Sequence, residues 1–304
     1  MTIALLITGA TGKQGGAVVD SLIAQNGDVE ILAVTRNAQS GTAQKLAQKS
    51  NKIKLVQGDL DDPAGIFQNA KKVTSMPIWG VFSVQTVNMG KDGTAIEERQ
   101  GKALIDEAIA QHVEYFVYTS VDRGGDASID TPTNIPHFIS KHNIEQHLFE
   151  KTKDGVMNWT VLRPTFFFDN IAPGFLGKVT ITAWDMYLKG KPLQAIATSD
   201  IGYFAASAFL HEDRFRNQCI SLAGEELTFE TLAKKFKSKT GKSVPTTYRV
   251  FIYIIMWMSK EFSTMFQWFH DRGYGADIEQ LRKLHPGLKD FDKWLEEDST
   301  FTKQ

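Results

Sequence analysis

Leu6-Ile7-Thr8-Gly9-Ala10-Thr11-Gly12-Lys13-Gln14-Gly15-Gly16 closes an apolar run that begins at Ile3. It leads directly into a segment with Val18, Val19, Leu22 and Ile23 on one helical face. Strand, glycine turn and amphipathic helix form the context in which a glycine pattern reads as a dinucleotide fingerprint. Each glycine has its own reason. Gly9 permits the tight turn out of the strand, Gly12 lets a pyrophosphate approach the backbone, and Gly15 lets the helix pack close to the sheet. The helix N-terminus then offers N–H groups and the positive end of its dipole to phosphate.

Working outward, Glu30 to Thr35 reads as a second strand that ends at Arg36-Asn37. An acidic residue near this tip hydrogen-bonds a ribose 2′-hydroxyl in NAD-binding folds. A carboxylate about 4 Å from a 2′-phosphate would cost roughly 4 kcal/mol at an effective dielectric near 20. Arg36 instead gains charge-assisted bonds to such a phosphate. NADP(H) is therefore expected over NAD(H), with Asn37 and Ser40 as neutral donors. The alternative for Arg36 is a solvated surface arginine.

Ile53 to Gln57 makes a third strand, and Asp62-Pro63 reads as an N-cap followed by the first helical residue. Asp59, at the carboxyl end of its strand, fits either an adenine contact or plain turn chemistry. Gly80 to Val84 is a fourth strand, with Gln85 and Thr86 at its carboxyl end facing the middle of a dinucleotide. Thr94 to Gln111 is helical and Tyr115 to Thr119 is a fifth strand. A long loop, Ser120 to Pro136, precedes a helix on which His137 and Lys141 share a face. Asn158 to Leu162 is a sixth strand. The alternation implies an α/β fold, a Rossmann-type doubly wound parallel sheet. The expected division is a nucleotide-binding domain over 1–170 and a smaller, mainly helical domain over 171–304. Within the latter, 193–222 is expected to return to the sheet, with Gln218 to Leu222 at its edge. Ser199 reads as an N-cap for 201–211, and Thr228 as one for 229–240 with Gly241 as the stop.

Composition narrows the function. The 304 residues are 42% hydrophobic and 23% charged, with a formal net charge of −1 and one cysteine, Cys219. No basic excess points to nucleic acid or a membrane surface. No Cys/His cluster has zinc spacing, so no metal is expected. The first strand begins at residue 3, which leaves no room for a cleavable signal. The most apolar stretch, 250–258, is too short to span a bilayer. A cytoplasmic or nuclear protein is expected. The aromatic and methionine-rich stretch 248–269 reads either as a lipophilic lid or partner groove, or as small-domain core.

Together these pieces resemble the NmrA-like family, an atypical branch of the short-chain dehydrogenase superfamily. The resemblance rests on Thr8 to Gly16, Val34 to Asn37, Gln57 to Asp62, His137 to Lys141, Leu162 to Asn170, Ser199 to Gly202 and Leu281 to Pro286. It implies NADP(H) bound with Gly9, Ala10, Thr11, Gly12, Lys13 and Gln14 on the pyrophosphate. Arg36, Asn37 and Ser40 would take the 2′-phosphate, and Asp59 and Leu60 would flank the adenine. Gln85 and Thr86 would line the centre, Lys141 would hold the nicotinamide ribose, and Pro164 to Phe167 would close over the nicotinamide end.

The resemblance also exposes a departure. Tyrosine-dependent relatives use a Tyr-x-x-x-Lys pair on this helix, and here the tyrosine position is His137. A positioned general acid is worth roughly 10²–10⁴ in rate. His137 is a candidate donor with a suitable reference pKa, about 6.5, but a lysine one turn away disfavours its imidazolium form. A packing or hydrogen-bonding histidine is the alternative. Ser120 fits a substrate-polarising serine or a turn former. An intact nucleotide site beside a broken proton-transfer pair fits a redox-sensing regulator with a protein partner. The rival is an atypical NADPH-dependent oxidoreductase acting on a small metabolite, with Lys141 and His137 in its active site. Isoflavone-reductase-like proteins, which also lack the tyrosine pair, provide that analogy.

Overall fold

The computed structural model describes residues 3–86 and 92–301. In chain order the nucleotide half reads β1 (Ile3–Ile7), α1 (Lys13–Ala24), β2 (Val29–Thr35), α2 (Gly41–Ala47), β3 (Ile53–Gln57), α3 (Pro63–Val73) and β4 (Ile78–Ser83). It continues through α4 (Gly93–Ala110), β5 (Tyr115–Thr119), α5 (Pro136–Thr152) and β6 (Asn158–Pro164). Then follow β7 (Phe166–Phe167), α6 (Phe175–Leu188), β8 (Leu193–Ile196), α7 (Thr198–Leu210), α8 (Glu212–Phe215), β9 (Gln218–Leu222) and β10 (Glu225–Leu227). The chain closes with α9 (Phe229–Thr240), α10 (Arg249–Met258), α11 (Lys260–Asp271), α12 (Ile278–Leu284) and α13 (Phe291–Glu297).

Seven strands form one sheet in the order β3-β2-β1-β4-β5-β6-β9. It is the expected doubly wound parallel sheet, and its order reverses between β1 and β4, where such folds bind ligands. The strands are continuous apolar runs because helices cover both faces. Leu6, Leu32, Val56, Val81 and Phe116 anchor the core of this unit. Local chemistry sets the helix starts: Asp62 accepts the Gly65 N–H at 3.0 Å, with Pro63 next in the helix.

The chain forms two compact units: Met1–Ser120, Ser140–Leu162 and Ile201–Ile220 in the first, and Val121–Ile139, Arg163–Asp200 and Ser221–Gln304 in the second. The second unit is thus assembled from three separate segments of the chain. Gln218–Leu222 sits at the edge of the main sheet as expected, but Leu193–Ile196 does not return there. It pairs instead with β7 and β10 in a separate three-stranded sheet.

Two local expectations change. Ser199 is not the cap of α7, which begins at Thr198; Asp169 caps it from 29 residues away, accepting the Thr198 N–H at 2.9 Å and its hydroxyl at 2.8 Å. Ser199 donates to Asp298 instead, at 2.6 Å. The stretch 248–269 also divides. Phe266, Trp268 and Phe269 of α11 are buried in the core of the second unit, whereas α10 buries only Ile252 and Met256 and turns its other rings outward.

Candidate functional site

The glycine turn has the geometry its three glycines predict. Gly9 sits at φ +60°, and a Cβ there would lie 2.6 Å from Val84 Cγ1. The Gly12 N–H donates to the Gly9 carbonyl at 2.8 Å, closing the turn. A Cβ on Gly15 would stand 2.3 Å from the Gly9 oxygen, so only glycine lets α1 approach this closely. Thr11, Gly12 and Lys13 are exposed, and no side chain caps the start of α1. Its first N–H groups face outward from a helix N-terminus, a ready anion site.

The end of β4 is fastened to this turn. The Thr8 hydroxyl donates to the Phe82 carbonyl at 3.0 Å and accepts the Val84 N–H at 2.9 Å. Gln14 accepts from the Thr119 hydroxyl at 2.7 Å, so its carbonyl is already used within the protein. Gln85 is buried. Its amide nitrogen donates to Ser83 Oγ at 2.8 Å, which leaves the Gln85 oxygen buried with no partner. A buried acceptor without a donor costs about 1–3 kcal/mol, so it is a natural place for a ligand hydroxyl or amide. Thr86, next in the chain, is exposed.

At the tip of β2, Arg36 and Asn37 are exposed. Among the described residues Arg36 has no acidic partner. Asn37 accepts the Gln39 N–H at 2.9 Å in a local turn. Ser40 is the N-cap of α2, its hydroxyl oxygen accepting the Ala43 N–H at 3.3 Å. Asp59 likewise makes a turn bond, from the Asp61 N–H at 3.0 Å, and is otherwise exposed; Leu60 packs partly against the core. The turn reading and the adenine reading of Asp59 are thus compatible. A cleft of about 340 Å³ lies beside the glycine turn, between α1 and α2, with Lys13, Lys45 and Lys49 on its walls.

Lys141 has a partner that sequence reasoning missed. Its ammonium lies 2.8 Å from Glu97 Oε1 on α4, an ion pair made by distance without a well-aligned hydrogen bond. Glu97 is 0% exposed, and its other oxygen accepts from the Ser140 hydroxyl at 2.6 Å. Lys141 also stands 5.9 Å from the centre of the Tyr118 ring. Nothing in the local pattern marks Glu97, since Glu97-Glu98 on an amphipathic helix reads as a solvated face.

In the second unit, His137 is bound through Nδ1 to Glu261 Oε1 of α11 at 2.5 Å. That bond holds the Glu261 carboxyl below its usual value, against partial burial. This corrects the expected setting of His137: its charged neighbour is a carboxylate, and Lys141 has a carboxylate of its own. Pro164 is buried and its carbonyl accepts the Asp122 N–H at 3.0 Å; Phe167 is half-buried in β7 opposite Ile196 of β8. The long loop after β5 is organised by Asp122 and Arg123, both buried. Asp122 accepts from Gly124, Gly125, Gly275 and Ser221, and Arg123 donates to the carbonyls of Val121, Ser128 and Thr131. Ser120 is buried, its N–H on the Leu162 carbonyl at 2.7 Å.

The model of the NmrA-like family matches residues 1–295. The chain belongs to the NmrA-like family. Among curated relatives, this NmrA-like protein is 25% identical over 271 residues to the NmrA-like family domain-containing oxidoreductase FrzB of Cladobotryum sp.. The match spans 80% of this chain and 75% of that protein. Among solved structures, it shares its fold with the NADPH-dependent quinone oxidoreductase QOR2 of Escherichia coli complexed with NADPH. That likeness has a TM-score of 0.69 at 18% identity, over 95% of this chain and 97% of the other. It also shares its fold with NmrA, a negative transcriptional regulator, at a TM-score of 0.67 and 14% identity over 99% and 96% of the two chains. Among the described residues no helix is long and apolar enough to cross a membrane, and no group of acidic, histidine or cysteine side chains could hold a metal.

Proposed function

We propose that this NmrA-like protein binds NADP(H) in its first unit and passes hydride to a conjugated acceptor of the quinone class that needs no proton from the protein. Two observations carry the reading: on the nucleotide side α1 starts uncapped, Arg36 is exposed and the buried Gln85 oxygen has no donor, and on α5 Lys141 and His137 each contact a carboxylate. The cofactor, when bound, supplies the hydride. The α1 N-terminus holds the pyrophosphate, and Arg36 with the Ser40 and Asn37 side chains holds the 2′-phosphate. Asp59 and Leu60 flank the adenine, and Thr86 adds a donor beside the buried Gln85 oxygen, which accepts from a ribose hydroxyl or the carboxamide. Lys141, positioned by Glu97, donates to the nicotinamide ribose. A quinone that gains a hydride becomes a stabilised oxyanion, which water protonates, so His137 has no obligatory step. The naming of FrzB and of QOR2 as oxidoreductases supports this.

A second reading, a regulator that senses the nucleotide pool through a protein partner, draws on the same contrast and on the likeness to NmrA. Sensing requires different affinities for the two redox forms.

NADPH consumption with a panel of quinones and simple ketones separates the readings. The expected result is turnover with quinones, none with ketones, and a loss of no more than about twofold in His137→Asn, far below the roughly 10²–10⁴ of a lost general acid. No turnover with any acceptor, with NADP⁺ and NADPH binding tenfold apart, supports the sensor. Ketone reduction that disappears in His137→Asn overturns both.

A further inference from the structure

The outward face of α10 is built unlike the rest of the surface. Tyr248, Phe251, Tyr253 and Trp257 are 76%, 41%, 61% and 84% exposed, and Phe175 at the start of α6 is 57% exposed. Phe251 makes ring contacts with both Phe175 and Tyr248, at 6.2 and 6.1 Å, so these three rings adjoin, and Tyr253 and Trp257 follow on the same outward side of α10. Val250, Ile254, Met258 and Leu176, all exposed, extend it. Taking roughly 200 Å² for a fully exposed ring, the five rings alone present on the order of 600 Å². That matches the upper limit, about 300–600 Å², of the largest patch on an ordinary monomer before any aliphatic side chain is added.

We propose that this face docks a second copy of the same chain, with α10 pairing antiparallel to its counterpart across a twofold axis. Three observations select this occupant. First, with its aliphatic members the patch reaches the roughly 800 Å² per partner of a standard interface, and Trp and Tyr are the side chains that dominate such interfaces. Second, the face is self-complementary. A groove of about 740 Å³ opens at the N-terminal end of α10, walled by Pro173, Phe175, Pro245, Tyr248 and Phe251 with one charged side chain, Lys178, among them. Trp257 and Met258 project at the other end, about 15 Å along the ten-residue helix. A twofold axis sets the projecting end of one helix against the grooved end of its partner. Third, the outward face of α10 carries no charge beyond Arg249, which is paired with Asp185 at 3.0 Å. A helix that lies on an anionic membrane carries a polybasic face instead.

Sedimentation velocity of the full chain over about 1–100 μM, a span that brackets ordinary homodimer affinities, tests the proposal. The expected species is a dimer, twice the 34.0 kDa chain. Trp257→Glu and Ile254→Glu each raise its dissociation constant at least tenfold, about 1.4 kcal/mol, and leave the far-ultraviolet circular-dichroism spectrum of the folded chain unchanged. Trp257→Phe retains the dimer. Mixing Trp257→Lys with Tyr248→Glu, each monomeric alone, restores a heterodimer. A monomer throughout the range overturns the proposal, and flotation of that monomer with phosphatidylcholine–phosphatidylserine vesicles reassigns the face to a lipid surface. A dimer indifferent to both glutamate variants overturns it as well. Loss of the dimer without rescue on mixing overturns the antiparallel pairing.

Discussion

The glycine turn and helix α5 treat their polar groups in opposite ways. Around the turn, the start of α1 is uncapped, Arg36 and Lys13 are exposed, and the Gln85 oxygen is buried with no donor. On α5, Lys141 is paired with the buried Glu97, and His137 is bound to Glu261. The first region keeps its capacity for an outside ligand. In the second, each ionisable group is held by a carboxylate of the protein. A dehydrogenase that relies on a side-chain acid needs the reverse at α5, a group within reach of substrate and ready to give up a proton.

The comparison breaks most visibly at Glu97. Removing one member of a buried ion pair leaves the other uncompensated, a cost of about 3–5 kcal/mol. Glu97→Ala should lower the chemical-denaturation stability by that order, and a double variant with Lys141→Met should recover much of it. If Glu97→Ala is neutral, Lys141 is not held as described. Next in size is Arg36→Ala. Hydrogen bonds to charged groups contribute about 1.5–3 kcal/mol, so NADPH should bind roughly ten- to a hundredfold more weakly while NADH affinity stays the same. Equal losses for both would place Arg36 away from the 2′-phosphate. Ser40→Ala removes an N-cap worth about 1 kcal/mol along with one phosphate donor; a smaller drop in melting temperature and a selective loss of NADPH affinity are expected together.

The smallest effect concerns pH. The bond from His137 holds Glu261 below its usual value of 4.5. A lowered carboxyl contributes stability that is present above that usual value and is lost as pH falls through the folded value. Between pH 7 and the acid limb, the native chain should therefore lose slightly more stability than Glu261→Gln. Parallel acid limbs would show that the His137–Glu261 bond contributes nothing.

What could be read from the sequence was local. The glycine turn, the Asp62-Pro63 start, the Thr228 cap with Gly241 at φ +70°, and the strand–helix alternation depend on neighbours within a few residues, and all appear as read. What was hidden depends on distant partners. Glu97 meets Ser140 and Lys141 from more than 40 positions away, and Asp169 caps α7 from 29 away. Leu193–Ile196 has a strand's composition whichever sheet it joins, so composition alone did not place it. The stretch from Val250 to Phe269 shows the same limit: α10 is the more apolar helix in sequence, yet most of its side chains face solvent, while Phe266, Trp268 and Phe269 of the more polar α11 fill a core. Hydrophobicity marks where apolar surface must be covered, without saying by what.

The most direct test of the central claim is a calorimetric titration of the intact chain with NADPH and NADH under one set of conditions, repeated with Lys141→Met. NADPH is expected to bind at least tenfold, about 1.4 kcal/mol, more tightly than NADH, and this preference is expected to survive in Lys141→Met because the glycine turn and Arg36 create it. Equal affinities, or no binding of either nucleotide to the native chain, would contradict the account.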